Sequence, residues 1–262
     1  MDLGLRDRVA LLPAASAGIG RAAAAEFAAA GARLAICGRD RGRLEAAAAE
    51  LRAMGAMDVL AVVADCMVAA EVEALVRETQ ARYGRIDILV ANSQGPLARP
   101  FEQLSDEDWR VALDTKVVTQ IRQARLVFPG MRERGWGRII FLAGTHGLQP
   151  HAYAITAGAV NAALLSVAKG LAEAGAGHGV LVNAINPGPI DTERMRYLAE
   201  RKSTAEGISL EAARRALCSE VTLGRFGEAA EVAAAIAFLA SQRASFITGT
   251  LLNVDGGQTK FI

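Results

Sequence analysis

Residues 8–20 read RVALLPAASAGIG, and the two halves of this stretch obey different rules. Arg8 to Pro13 is a short apolar run without polar alternation, the pattern of a strand buried on both faces. Ala14 to Gly20 is built of small residues and leads into RAAAAEFAAA, a run of strong helix formers. A strand that turns into a helix within a few small residues offers the helix's free N–H groups and positive end to an anion. Gly18 and Gly20 would let the backbone approach a pyrophosphate closely. Glycine is common at any strand-to-helix turn, so the junction points to a phosphate only with support from elsewhere in the chain.

The same alternation continues downstream. Apolar runs of strand length occur at Arg33 to Cys37, Asp58 to Ala64, Ile86 to Ala91, Arg138 to Ala143, Val180 to Ile185 and Thr250 to Val254. Between them lie segments of helical spacing: Gly20 to Ala30, Arg41 to Met54, Ala69 to Tyr83, Trp109 to Arg134, Gly158 to Ala174 and Glu228 to Ser241. Ser105, three residues before Asp108, has the layout of a capping box. Apolar strands separated by helices predict a parallel sheet between two helix layers, an α/β fold. No repeat, linker or composition break divides the 262 residues, so the expectation is one domain over 1–262. Its irregular, Arg- and Glu-rich stretch near 188–218 has the character of a substrate lid.

Composition narrows the classes. Lys+Arg number 29 against 28 Asp+Glu, a net charge of +1, which disfavours nucleic acid or an anionic membrane as partner. The chain is 52% hydrophobic, with about a fifth of its residues alanine and a mean hydropathy of +0.23, so general disorder is excluded. No uninterrupted apolar stretch approaches the roughly 20 residues of a membrane span. The start has no signal-peptide layout, and Cys37, Cys66 and Cys218 are few, odd in number and far apart. A cytoplasmic location is expected. His146, His151 and His178 lack acidic or Cys partners at ligand spacing, so no metal site is expected. Ser166 and Lys169 match S-x-x-K, but in mid-helix and without companion motifs.

Taken in order, AASAGIG, the acid in VVADC, DILVANSQGP, DEDW, PGMRERGWGRII, VLVNAINPGPIDT, LGRFGEAAEVAAAIAFLAS and ITGTLLNVDGG resemble the short-chain dehydrogenase/reductase family across nearly the whole chain. The nearest likeness is to β-ketoacyl-acyl-carrier-protein reductase-like members. The resemblance implies a doubly wound, Rossmann-type, three-layer sheet of about seven strands, a nicotinamide dinucleotide site, a homotetramer with the Gly158 to Ala174 helix in an interface, and a small-molecule or acyl-chain carbonyl substrate.

Carried over position by position, Ser16, Gly18, Ile19 and Gly20 match the phosphate loop. Asp65 and Cys66 match the pair that brackets the adenine, Asn92 lies near the ribose, and Pro187, Gly188, Ile190 and Thr192 match the segment that holds the carboxamide. Gly38 stands where an NAD-preferring member carries an acid, and Arg39 follows where a guanidinium can grip a 2′-phosphate. NADP(H) is therefore favoured over NAD(H). Ala14 stands where the family has its first Gly, at a cost of about 1 kcal/mol if the position needs positive φ.

The catalytic positions depart from the family's Asn, Ser, Tyr and Lys. Ungapped anchoring on the flanking motifs puts Lys116, Gly144, Ala157 and Asn161 there. Two readings follow. In the first, chemistry is rearranged: Lys116 supplies the charge from the opposite helix, Asn161 takes the Lys position, and Tyr153, Thr145, His146 or His151 donates the proton. Gln94, Leu148, Met195 and Tyr197 are candidates to line the substrate pocket. In the second, hydride chemistry is lost and a nucleotide-binding subunit or non-redox enzyme remains. Because members of the family are generally oxidoreductases, the first is favoured.

Overall fold

The alternation of strand and helix is realised as one parallel sheet. The computed structural model describes residues 2–96 and 99–260. Strands β1 (Val9–Leu12), β2 (Arg33–Gly38), β3 (Asp58–Val63), β4 (Ile88–Ala91), β5 (Gly137–Leu142), β6 (Val180–Pro187) and β7 (Leu251–Val254) run in the order β3-β2-β1-β4-β5-β6-β7. Every pairing is parallel, with Leu11 opposite both Ala35 and Leu89. The order reverses between β1 and β4, so a crevice opens at the carboxyl ends of these two strands, where sheets of this type take ligands.

The helices are α1 (Gly18–Ala29), α2 (Arg41–Ala53), α3 (Ala69–Tyr83), α4 (Asp106–Ala112), α5 (Thr119–Glu133), α6 (Ile155–Ala176), α7 (Glu193–Glu206), α8 (Leu210–Leu217) and α9 (Ala229–Ala240). On one face of the sheet Ala23, Ala24, Phe27 and Ala28 of α1 pack with Val232, Ala233, Ile236 and Ala237 of α9. Small side chains let these two helices approach closely, which is where the alanine abundance goes. On the other face Leu75 and Val76 of α3, Val127 of α5, and Val160, Leu164 and Ala168 of α6 cover Leu89, Ile139, Phe141 and Val182. With its preceding turn, α6 forms an apolar helix from Ala152 to Ala176 long enough to cross a membrane; 44% of its most apolar window is buried inside the fold.

Two boundaries differ from expectation for identifiable reasons. The helix expected from Trp109 begins at Asp106, because Ser105 accepts from the Asp108 amide while the Asp108 carboxylate accepts from the Ser105 amide. The same helix is interrupted by a wide turn at Leu113–Val118, where the backbone takes π-helical spacing before α5 resumes.

Candidate active site

Four local structures converge on the crevice. The first is the loop after β1. Ala14 has φ +53, the left-handed conformation that L side chains avoid, and Gly18 has φ +57. A β-carbon on Gly20 would stand 2.6 Å from the Ala14 carbonyl, so only glycine fits there. No side chain caps α1: its N-cap is Ala17, which leaves the first N–H groups facing the crevice. Ile19 turns its side chain onto the core instead.

Neighbouring elements close around this loop. The side chain of Asn92, after β4, reaches Gly20, with Nδ2 3.0 Å from where a β-carbon would stand. Gln123 clamps Asn92 from α5, accepting from its amide at 3.2 Å and donating to its carbonyl at 3.0 Å. At the end of β2, a β-carbon on Gly38 would lie 2.8 Å from Ser16 Oγ, so an acid at this position could not coexist with Ser16 as it stands. Arg39 is exposed and has no ion pair among the described residues. After β3, the Asp65 carboxylate accepts from the Met67 amide, and Cys66 lies 3.5 Å from Cys37, sulfur to sulfur.

The segment after β6 crosses above. Pro187 ends the strand, and the Gly188 amide donates to the Val254 carbonyl while its α-carbon passes Asp255 too closely for a side chain. Ile190 is buried, and Thr192 caps α7 with its methyl 3.6 Å from the β-carbon position of Gly18. The stretch read as a lid forms α7 and α8. It is tied down on two sides, by the Arg43–Glu193 ion pair at 2.6 Å and by Arg194 donating to the Pro96 carbonyl at 2.8 Å.

The second half of the site is built around Lys116. It occupies the wide turn between α4 and α5, and only 6% of its surface is exposed. Its Nζ donates to the carbonyls of Leu142 at 2.7 Å and Ala143 at 3.3 Å, at the end of β5. Burial, with a smaller contribution from the Arg194 guanidinium, brings its pKa down to about 7. Gln120 shares the Leu142 carbonyl at 3.0 Å. The next residue is Gly144, where a β-carbon would stand 2.9 Å from Asn161 Nδ2, so the absence of a side chain at 144 makes room for Asn161. Ala157 is half-buried, one helical turn before Asn161 on α6. Asn161 Oδ1 and Gln120 Oε1 are both buried and accept no hydrogen bond among the described residues.

The other proton-donor candidates fare differently. Tyr153 is 67% exposed, its ring lying against His151 at 5.9 Å, and its hydroxyl has no hydrogen bond among the described residues. Thr145 is buried, but its hydroxyl donates to Gln258 at 3.2 Å. His146 and His151 line a separate cavity of about 70 Å³ with Gln149, Glu220 and Thr259, where burial lowers the His146 pKa. Leu148 packs onto the core, whereas Met195 and Tyr197 stand on α7 and Gln94 in the loop after β4. Arg194 was not singled out from sequence. Its guanidinium bridges α7 to the loop after β4, with a carbonyl as its one acceptor among the described residues, while Glu193 and Asp191 are paired to Arg43 and to Arg196 and Arg214.

This architecture has relatives. A family model described as enoyl-(acyl carrier protein) reductase matches residues 14–259. Subunit BbsC of (2S)-[(R)-hydroxy(phenyl)methyl]succinyl-CoA dehydrogenase from Thauera aromatica is 35% identical over 97% of this chain and 95% of its own. The chain belongs to the short-chain dehydrogenase/reductase family. Another member, the 3-oxoacyl-[acyl-carrier-protein] reductase FabG of Escherichia coli, is 31% identical over 97% of this chain and 98% of its own. Among solved structures, L-sorbose reductase from Gluconobacter frateurii, complexed with NADPH and L-sorbose, superposes with a TM-score of 0.94 at 33% identity over the full length of both chains. The likeness covers the whole sheet and the loop after β1.

Proposed function

We propose that this protein is an NADP(H)-dependent oxidoreductase that interconverts a ketone and a secondary alcohol on a small or acyl-chain substrate, with Lys116 as the proton donor. The observation that carries the reading is the Lys116 amine, poised at about pH 7 at the end of β5 beside the dinucleotide crevice. Relatives that reduce 3-oxoacyl and sugar carbonyls, one of them complexed with NADPH, support both the reaction class and the cofactor.

The residues fit the cofactor. The uncapped start of α1, with Ser16, Gly18 and Gly20, would take the pyrophosphate. Arg39 would take the 2′-phosphate, Asp65 and Cys66 the adenine, and Pro187, Gly188, Ile190 and Thr192 the carboxamide. Asn92 and the orphaned Asn161 Oδ1 would accept from ribose hydroxyls. When bound, the reduced nicotinamide supplies a hydride. Everything else falls to the chain.

Lys116, Gly144, Ala157 and Asn161 stand at the positions of the family's Asn, Ser, Tyr and Lys. The side chains that would have polarised the carbonyl are thus missing, Asn161 fills the room left at Gly144, and the ammonium has moved to the opposite helix. Lys116 holds its proton at Nζ against two carbonyls. At neutral pH it is close to half protonated, the condition under which a group both donates and recovers a proton readily. Burial makes that donation strong, because little water competes for it. Arg194, a second cation without an acid partner among the described residues, favours substrates that carry an anionic group. Assembly as a homotetramer, a single domain over 1–262 and a cytoplasmic location complete the proposal.

The test combines calorimetry of NADPH and NADH with NADPH oxidation over a panel of ketones and oxo acids. Tighter binding of NADPH and turnover that disappears in Lys116→Met are expected; failure to bind either dinucleotide would refute the reading. A second reading rests on Gly144 and Ala157, which leave no hydroxyl beside the carbonyl position. Under it the chain is a nucleotide-binding partner subunit. NADPH binding without oxidation by any substrate would favour it.

A further inference from the structure

A pair of thiols lies outside the chemistry described so far. Cys37 is buried near the end of β2, Cys66 is partly exposed just after β3, and their sulfurs are 3.5 Å apart with neither in a disulfide. The Ala14 amide donates toward both sulfurs, and the Ala15 amide donates to the Cys37 carbonyl at 3.0 Å. The pair therefore sits directly beneath the strained turn of the phosphate loop.

The two thiols are not equivalent. A hydrogen bond from Cys37, with the Ala14 amide in support, draws the Cys66 thiol below its ordinary pKa although burial opposes it. Cys37 moves the other way, raised by its hydrogen bond to Cys66 and by burial. Cys66 is also the member partly open to solvent, with Cys37 buried behind it, which is the placement of an attacking and a resolving thiol.

We propose that Cys37 and Cys66 form an oxidative modification site, converted by a hydroperoxide to a disulfide that weakens dinucleotide binding. The Cys66 thiolate attacks the peroxide oxygen; the O–O bond breaks and, with one proton, water leaves, giving a sulfenic acid. Cys37 sulfur then attacks Cys66 sulfur, the S–O bond breaks, and hydroxide leaves as water with the Cys37 proton. Two thiols are oxidised and one peroxide is reduced to two waters. Bonding distance for sulfur is about 2.05 Å, so closure from 3.5 Å brings the two sulfurs about 1.5 Å closer. The rearrangement falls on Cys66, next to Asp65, and on the Ala14 amide that donates toward both sulfurs. The effect on the cofactor rests on the proposed seat of the adenine at Asp65 and Cys66; the modification itself does not. A bound dinucleotide covering Cys66 shields it, so occupancy and oxidation oppose each other.

The experiment treats the full-length protein with a stoichiometric amount of hydrogen peroxide, maps thiols by alkylation and mass spectrometry, and measures NADPH affinity by calorimetry. The expected result is a Cys37–Cys66 disulfide reversed by dithiothreitol, Cys218 still alkylated, affinity for NADPH lowered at least about tenfold, and slower oxidation when NADPH is present. Cys37→Ser should accumulate a sulfenic acid at Cys66 that a dimedone probe traps, and Cys66→Ser should resist oxidation. Peroxide that leaves Cys37 and Cys66 both alkylated overturns the proposal, as does a disulfide that leaves NADPH affinity unchanged. If the reduced protein binds no dinucleotide, the proposed function fails, while the mass map still reports on the disulfide.

Discussion

Strand β5 has a buried cation at each end, and the two are handled in opposite ways. Arg138, at its start, is 4% exposed and lies on the Trp136 ring at 4.4 Å, with Arg8 on that ring at 3.7 Å. It donates to the Gly137 carbonyl, and burial lowers its pKa only to about 10, so it remains charged at any physiological pH. Lys116, at the other end, has two carbonyls and, among the described residues, no ring or acid partner, and its pKa falls to about 7. A delocalised guanidinium stacked on an aromatic ring suits a structural fastening. A compact ammonium left without compensation becomes a group that exchanges protons at neutrality. The fold accommodates both, but only the end that opens on the crevice lets burial serve chemistry.

The sharpest way to break this comparison is to remove each cation in turn. Lys116→Met should lower kcat for carbonyl reduction by about 10²–10⁴-fold, the range of a general acid, whereas Arg138→Met should leave kcat unchanged. Stability should separate them as well. Below pH 7 both folded and unfolded chains carry the Lys116 proton, and the full burial penalty stands, on the order of 5 kcal/mol from a drop of 10.5 to about 7. Between pH 7 and 10.5 the unfolded chain holds that proton and the folded one does not, so stability rises with pH across this window. Urea titration should find Lys116→Met more stable than wild type by about 1–4 kcal/mol at pH 6, with the gain shrinking towards pH 10. Arg138→Met should instead be less stable by about 1–2 kcal/mol at both pH values, having lost its stacking and hydrogen bonds.

Two smaller effects sharpen the cofactor side. Arg39→Ala should weaken NADPH binding by about tenfold, roughly one charge-assisted contact, and leave NADH unchanged in calorimetry. Ala14→Gly relieves a left-handed alanine and should stabilise the protein by about 0.5–1 kcal/mol in thermal unfolding, after allowing for the greater freedom of the unfolded chain.

Residues whose role depends on local backbone were legible in the sequence. The sevenfold alternation foreshadows the sheet, and the small residues after β1 foreshadow the tight turn into α1. Ala14, a costly residue if its position needs positive φ, does take one. Ser105 and Asp108 announced a helix start. Residues whose role depends on depth were not. A continuous helical pattern from Trp109 gives no sign of the wide turn at Leu113–Val118, and without that turn the burial of Lys116 is unreadable. Tyr153 looked like a proton donor by chemical type alone, yet its hydroxyl faces solvent; Thr145 was committed to Gln258, 113 positions away. The Cys37–Cys66 contact follows from the register of β2 on β3, which no spacing along the chain encodes. Arg194 was invisible for the same reason: its partner Pro96 is 98 residues distant.

The most direct test of the central claim is the pH dependence of NADPH oxidation by a ketone or oxo acid that the enzyme turns over, with the reverse alcohol oxidation measured alongside. If Lys116 is the proton donor, reduction falls as pH rises through about 7, oxidation rises through the same value, and Lys116→Met abolishes both limbs. Turnover in Lys116→Met equal to wild type, with the pH profile unmoved, would contradict it.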